Sequence, residues 1–480
     1  MTEAEPDGVA PGTLAPPPRR HFSILVTVAF AIMATIYIGL PLAPLLTGGV
    51  SPLEQLERPE DSLDRLVMRE LDLRAAMHEG GGWEWRLYRV LSGADDPVRE
   101  AVNWYDELVQ TVDSPLAAFH RTILLGESGD VDRAEDAIAH FKTRDKLDER
   151  LASWVSAAYL PPGPTPAVGD QMIGEIRAQM DPDWFADTLR ARIAARIGDA
   201  RARDSAHAAI ATRGRALQAR LRALMALVLA LLVAGLVACV RLVRGRRARV
   251  ADAPLPPVWS PGDGFALLVR GLGAPQAIIL VTFSLIPRQA PFATLLAMAA
   301  DLPVFWWIAR YLRASNESMT TAFGVRPRPG AWPRLVYVAL ALIALALVGD
   351  AAIEAVGNLV GVPSHWADGF AEDVLWDSRR AFVVNAINVT LWAPIVEELL
   401  FRGLLYGTLR TVLPVWPAVF VSAALFAIPH GYAAAGSLSV LMSGVLWAIA
   451  YERTRSLLPG LVAHSANNLM STLWAAVLLR

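Results

Sequence analysis

A single cysteine, Cys239, stands in 480 residues. Without a second thiol there is no intrachain disulfide framework and no cysteine metal cluster. Lysine is nearly missing too, with Lys142 and Lys146 the only two, and beside abundant alanine this reads as base-composition bias without functional weight. Charge is sparse: Asp, Glu, Lys and Arg make up 19% of the chain against roughly 25% in an average soluble domain. The formal net charge is −2, so no global basic field marks a nucleic-acid partner. Apolar residues fill the gap at 54%, and the mean hydropathy is +0.37. That balance predicts a polytopic membrane protein rather than a large soluble enzyme.

Hydropathy and charge divide the chain. Residues 1–21, Pro- and Gly-rich and ending "PPPRRH", read as a disordered cytoplasmic tail. The apolar run over 22–46 follows Arg19 and Arg20, which predicts an uncleaved anchor with its N-terminus in the cytoplasm. Residues 51–215 are polar, with apolar positions at helical spacing, as in "WFADTLRARIAARIGDA". They predict an all-helical domain outside the cytoplasmic membrane. "GDVDRAEDAI" from Gly129 resembles the turn and second helix of a tetratricopeptide hairpin, and another Gly-Asp pair falls at Gly198. An irregular helical bundle fits the same pattern equally well.

A second span over 221–240 ends in Arg241, Arg244, Arg246, Arg247 and Arg249, a cytoplasmic marker. Residues 241–264 form a basic, then Pro/Gly-rich, cytoplasmic linker, and 265–480 is almost continuously membrane-like. The arginines at 310, 313, 326, 328, 410, 453 and 455 mark one side repeatedly, consistent with nine spans in all. The fold class expected is all-α: a polytopic membrane helical bundle with an appended extracytoplasmic helical domain.

The charges that remain inside spans are the informative ones. "LWAPIVEELLFRGLLYG" holds Glu397, Glu398 and Arg402 in apolar surroundings, where each charge costs roughly 2.5–3.5 kcal/mol on insertion scales. Glu398 and Arg402 are four apart and can pair on one helix face. Glu397 points about 100° away with no partner in its own helix, which suits a general base or a metal ligand. The next span ends "SAALFAIPHGY", placing Phe426 and His430 on one face; the last opens "LLPGLVAHSANNLMSTLW", doing the same for His464 and Asn468. Two histidines and a carboxylate are the ligand set of a catalytic zinc site, so Glu397, His430 and His464 are the metal candidates. The same three could activate a water without metal. An amide beside them suits an oxyanion forming on a carbonyl.

"EELLFR", "FAIPH" and "HSANN" occur in the order seen in CPBP-type intramembrane proteases, a family that includes type II CAAX prenyl endopeptidases and bacteriocin-processing and immunity proteins. The chain resembles that family over roughly residues 260–480. The resemblance implies an intramembrane endopeptidase acting on a membrane-associated protein or peptide. By position, Glu397 is then the base that activates water, and His430 shares that water or a metal. His464 and Asn468 stabilise the oxyanion, or His464 completes a metal site, while Glu398, Arg402 and Phe426 give structural support. Zinc or no cofactor at all fits these residues. The departure is the N-terminal half, whose outer domain implies a protein partner of its own. A catalytically silent scaffold or immunity factor is the alternative, and a transporter using the intramembrane charges is a second. Asp301, Asp350, Glu354, Asn385 and Asn388 fit cavity-lining, interfacial or packing roles.

Overall fold

In a computed structural model of the chain, the described residues are 22–42, 52–79, 82–86, 96–141, 146–245, 249–286, 292–361, 364–368, 370 and 372–480. The tail at 1–21, the end of the first anchor at 43–46, and Arg246 and Arg247 lie outside them. Among the described residues the protein is helical with no strand, as the all-α reading expects.

The first apolar helix, α1, spans Ile24–Gly39. At 16 residues and 1.5 Å each it is about 24 Å long, short of the ~30 Å hydrocarbon core. The helical domain follows as α2 (Pro59–Glu79), α3 (Pro97–Thr111), α4 (Pro115–Ser128), α5 (Val131–Ala139), α6 (Lys146–Tyr159), α7 (Pro166–Gln179) and α8 (Trp184–Ile197). Local chemistry sets several of these starts. Asp96, Ser114 and Asp183 accept the backbone N–H groups of Val98, Ala117 and Ala186 at 3.1, 3.2 and 2.7 Å, and a proline opens α3 and α4. Both Gly-Asp pairs turn out to be one device. Gly129 and Gly198 end α4 and α8 at φ +80°, and Asp130 and Asp199 cap the helices that follow. Left-handed backbone without a Cβ penalty is the reason for glycine there.

Leu63, Val67, Tyr105, Phe119, Trp154 and Phe185 form the centre of this domain, all under 1% exposed. A polar knot crosses it. Asp64 accepts from the Tyr105 hydroxyl and lies 2.8 Å from His120 Nδ1, and the His120 ring stacks on Phe185 at 3.9 Å.

The domain joins the membrane part through one uninterrupted helix, α9 (Ala200–Arg244), whose 45 residues pass straight through positions 215–221. Arg213 fixes its base. The guanidinium takes Asp72 of α2 through Nε and Nη2 at 2.9 and 3.1 Å and Asp187 of α8 through Nη1 at 2.6 Å.

Beyond α9 come α10 (Pro261–Leu285), α11 (Ala293–Ala300), α12 (Leu302–Ala314), α13 (Trp332–Leu359), α14 (Arg379–Leu409), α15 (Val415–Ala427), α16 (Ala434–Thr454) and α17 (Leu458–Leu479). Six helical stretches among the described residues are long and apolar enough to cross a membrane: within α9, α10, α11 with α12, α13, α14 and α16. The segments Ile24–Gly39 and Val415–His430 are apolar but shorter. The 22-residue α17 is not among the six, because His464, Asn467, Asn468 and Thr472 dilute its hydropathy.

The ends of the bundle differ. At one end the chain around 250–255, 323–328 and 454–457 is laced together by backbone bonds such as Arg328 N–H to Val250 O at 2.8 Å and Leu457 N–H to Phe323 O at 3.1 Å. Arg410 lies 3.3 Å from Glu452 nearby in the chain. The other end carries the helical domain. There the Glu372 carboxylate accepts the Glu57 and Arg58 N–H groups at 2.7 and 2.9 Å and the Ser62 hydroxyl at 2.9 Å, closing the start of α2.

Candidate active site

Helix α14 is wound unevenly, and the sequence explains part of it. Pro394 has no N–H and its ring clashes with the carbonyl four residues back. The turn just before it, Asn388–Trp392, widens to π-helical geometry, and so does Glu398–Tyr406 just after Glu397. Such widened turns recur at functional sites. Trp392 secures the first by donating from Nε1 to Asp301 Oδ2 at 2.9 Å.

Glu397 and Glu398 therefore sit where the helix changes winding, and their surroundings are opposite. Glu398 is 2% exposed and Arg402 1%. Arg402 Nη1 lies 3.2 Å from Glu398 Oε1, close enough for an ion pair although not aligned as a hydrogen bond. The guanidinium is also covered by aromatic faces, with Phe426 at 4.0 Å and Trp447 at 5.0 Å. Gly460 of α17 makes room for the second carboxylate oxygen; a Cβ there would lie 3.1 Å from Glu398 Oε2. Glu397, in contrast, is half-buried and lines a cavity.

His464 joins the two carboxylates. Its Nδ1 is 3.1 Å from Glu398 Oε1 and its Nε2 3.5 Å from Glu397 Oε2. The ring is stacked on Trp447 at 4.2 Å and meets the edge of Phe426 at 5.7 Å. His430 ends the short turn Ile428–His430 that extends α15. Its Nδ1 lies 2.9 Å from the Phe426 carbonyl. A carbonyl only accepts, so the proton is on Nδ1 and Nε2 of the neutral ring keeps its lone pair. Phe426 touches His430, His464, Trp447 and Phe401, with ring centroids 4.9, 5.7, 5.9 and 5.2 Å away. Asn468 spends one amide N–H on the Val389 carbonyl at 2.9 Å, inside the first widened turn.

One cavity of about 970 Å³ takes in Glu397, Phe426, His430, His464 and Asn468 together. Glu398 and Arg402 lie behind its wall. Of the other polar residues, Asp350 and Asn385 line the cavity, and Asp301 does not, being held by Trp392 behind it. The cavity lies at the helical-domain end, since Leu66 of α2 and Met225 and Val228 of α9 also line it.

The segment between α13 and α14 roofs the cavity with Trp366, Asp368, Phe370 and Asp373. It is held at both ends. Toward the helical domain, His365 Nε2 meets Glu107 at 2.9 Å and Trp366 packs against that domain's core. Toward the site, Asp368 accepts the Ala433 N–H at 3.0 Å, three residues after His430, and the Asn385 amide donates to Asp373 at 3.4 Å. Burial raises the Asp373 carboxyl above its ordinary range, and Asp377 and Glu372 add to the shift.

Sequence reasoning missed Trp447, whose ring holds His464, because α16 reads as one more apolar span. It also missed Asp368, which lies in an acidic loop with no motif. Among the described residues no group of three His, Cys, Asp or Glu side chains is set to hold a metal ion. One His464 nitrogen is already engaged by Glu398.

Residues 379–470 match a family model described as Rce1-like, type II CAAX prenyl endopeptidase Rce1-like. No curated protein and no solved structure matches the chain. The matched segment is about a fifth of the sequence and runs from the start of α14 to the middle of α17, enclosing Glu397, Glu398, Arg402, Phe426, His430, His464 and Asn468. Residues 379–470 are an Rce1-like domain, of a protease family consistent with the CPBP resemblance, carried by a multi-pass helical membrane protein.

Proposed function

We propose that the protein is an intramembrane endopeptidase that hydrolyses a peptide bond of a membrane-associated protein, with Glu397 as the general base. The observation that carries this is the His464 ring set between Glu397 and Glu398, on the wall of a cavity that also holds His430 and Asn468. Glu397 takes a proton from a cavity water as the water oxygen attacks the scissile carbonyl carbon. The His430 Nε2 lone pair accepts the water's other O–H and fixes its direction. Glu397 then passes its proton to the departing amine nitrogen as the C–N bond breaks, leaving a carboxylic acid and an amine.

His464, its Nδ1–H given to Glu398, donates from Nε2 to the oxyanion as the doubly protonated ring. Asn468 has a second amide N–H for the same task, its first being held by Val389. Glu398 and Arg402 act at one remove, fixing the ring and the widened turn. No step here requires a metal. Were zinc bound, Glu397, His430 and His464 would be its holders and it would polarise the carbonyl or the water. Metal content of the purified wild type beside the His430→Ala, His464→Ala double variant separates the two routes.

By the arginine distribution the N-terminus is cytoplasmic and residues 51–215 are extracytoplasmic. The cavity then opens away from the cytoplasm, beneath the helical domain, which takes a protein partner. The test is substrate trapping with Glu397→Gln in native membranes. Proteins that accumulate uncleaved on the variant, and are cut when wild type is added, support the reading. A variant that cuts like wild type ends it.

A further inference from the structure

Among the described residues, two buried polar atoms on α16 have no hydrogen-bond partner: the Ser443 hydroxyl and the Trp447 indole nitrogen. Both residues are 2% exposed, and both line the cavity. Nearly all buried donors in proteins find an acceptor, so each unmet one calls for an explanation. The two are four residues apart and share a helix face. Ser439, four residues earlier, lies on that face as well and lines the same cavity, as do Gly436 and Val440. The Ser439 hydroxyl donates to the Asp350 carboxylate of α13.

A polar strip thus descends the cavity wall, from Asp350 and Ser439, past Ser443, to Trp447 stacked on His464. From Ser439 to Trp447 the helix rises about 12 Å at 1.5 Å per residue, the reach of three to four extended residues at ~3.3 Å each. The charge along this cavity is of one kind. Among the described residues its lining has four carboxylates, Asp350, Asp368, Asp373 and Glu397, and no lysine or arginine.

We propose that this strip is a peptide-binding track: Ser443 and Trp447 donate to carbonyl oxygens of an extended substrate segment, and Asp350 receives a lysine or arginine side chain three or four residues from the bond that is cut. The inference rests on the protease reading and deepens it. Both donor atoms are closed off from water, so a docked segment meets them as the Ser443 and Trp447 side chains turn toward it, and the basic side chain finds the carboxylate at the far end of the strip. The Asp350 carboxylate has lone pairs to spare after meeting Ser439, and a cation is what this lining lacks.

The experiment uses the full chain in lipid nanodiscs. Internally quenched alanine- and leucine-rich peptides carry a single arginine moved through every position on both sides of the cut. With wild type, kcat/KM rises about tenfold over the arginine-free peptide when arginine stands three or four residues from the cut on one side, and stays near baseline elsewhere. In Asp350→Asn that ratio falls to about one, and Asp350→Lys reverses it in favour of glutamate at the same place. Ser443→Ala and Trp447→Phe lower kcat/KM for all the peptides alike.

Anisotropy of the same peptides on Glu397→Gln reads the track without turnover and gives the same order of affinity. Cleavage without positional preference, or a preference that survives both Asp350 variants, overturns the track. Position-dependent, Asp350-dependent binding with no cleavage by wild type upholds the track and sinks the hydrolytic reading.

Discussion

Replacing Glu398 by glutamine, Arg402 by methionine, and both together separates what the buried pair does for the fold from what it does for His464. The two side chains are 2% and 1% exposed and 3.2 Å apart. Removing one partner of such a pair leaves an uncompensated buried charge, at a cost of about 3–5 kcal/mol. Arg402 has the less to fall back on: among the described residues none of its guanidinium nitrogens makes an aligned hydrogen bond, and without Glu398 it keeps the Phe426 and Trp447 faces and the more distant charge of Glu397. Glu398→Gln alone should therefore speed opening of the widened turn by about a hundred- to a few thousand-fold, and Arg402→Met alone by the lower part of that range.

The double variant removes both charges and should recover most of that loss, to within about 1–2 kcal/mol of wild type. Hydrogen exchange of the backbone amides across Glu398–Tyr406, on the full chain in detergent, measures this directly. Turnover should not return with stability, because His464 Nδ1 has lost Glu398 as its anionic partner at 3.1 Å. Single variants that leave exchange unchanged, or a double variant as labile as the sum of the singles, would refute the description of the pair as mutually compensating.

Three further outcomes test the helical domain and the roof. Burial, reinforced by Glu70, raises the Glu100 carboxyl from an ordinary 4.5 to about 7. A raised carboxyl favours the neutral form, so its stability is fully present below the ordinary value and is lost as pH climbs through 7. Exchange protection of Pro97–Thr111 should weaken by on the order of 2 kcal/mol between about pH 5 and pH 8, and Glu100→Gln should remove that dependence. In the knot, burial lowers the affinity of His120 for a proton, but Asp64 more than offsets it and the net shift is upward. The stability this pair adds is present below about 6.5 and lost as pH rises through the raised value; Asp64→Asn should cost about 3–5 kcal/mol, read by thermal unfolding monitored at Trp154 and Trp184. Asp368→Ala removes the acceptor of the Ala433 N–H; it should loosen the start of α16 by about 1 kcal/mol and lower kcat, while His365→Ala on the far side of the roof should affect the helical-domain contact first.

Much of this molecule could be read from one line of letters because its determinants are local. Charge patterning and apolar runs located the helices of the membrane half, and the caps at Asp130 and Asp199 are visible as Gly-Asp pairs. The candidate site residues stand out because a carboxylate or imidazole within an apolar helix has few bland reasons to be there. What could not be read depends on contacts distant in sequence. The expectation that Glu397 would be without a partner is true of its own helix, while His464 reaches it from 67 positions away at 3.5 Å. Trp447 and Ser443 carry no motif, and their unmet donors exist only once α16 is packed. The apolar pattern alone describes a regular helix through Glu397, whereas Pro394 and the widened turns re-aim the residues beyond it. The span over 221–240 and the polar stretch 51–215 look like separate units in the sequence, but α9 runs unbroken from Ala200 to Arg244 through both.

The central claim is that Glu397 and His430 act on one water while His464 steadies the oxyanion, all in one cavity. Its most direct measurement is the single-turnover cleavage rate of a trapped substrate by purified wild type and by Glu397→Gln, with His430→Gln and His464→Gln alongside. Loss of a positioned general base predicts a fall of about 10²–10⁴ for Glu397→Gln, with comparable falls for both histidine variants and substrate affinity kept. A Glu397→Gln rate within tenfold of wild type, in protein whose exchange protection is intact, would contradict it.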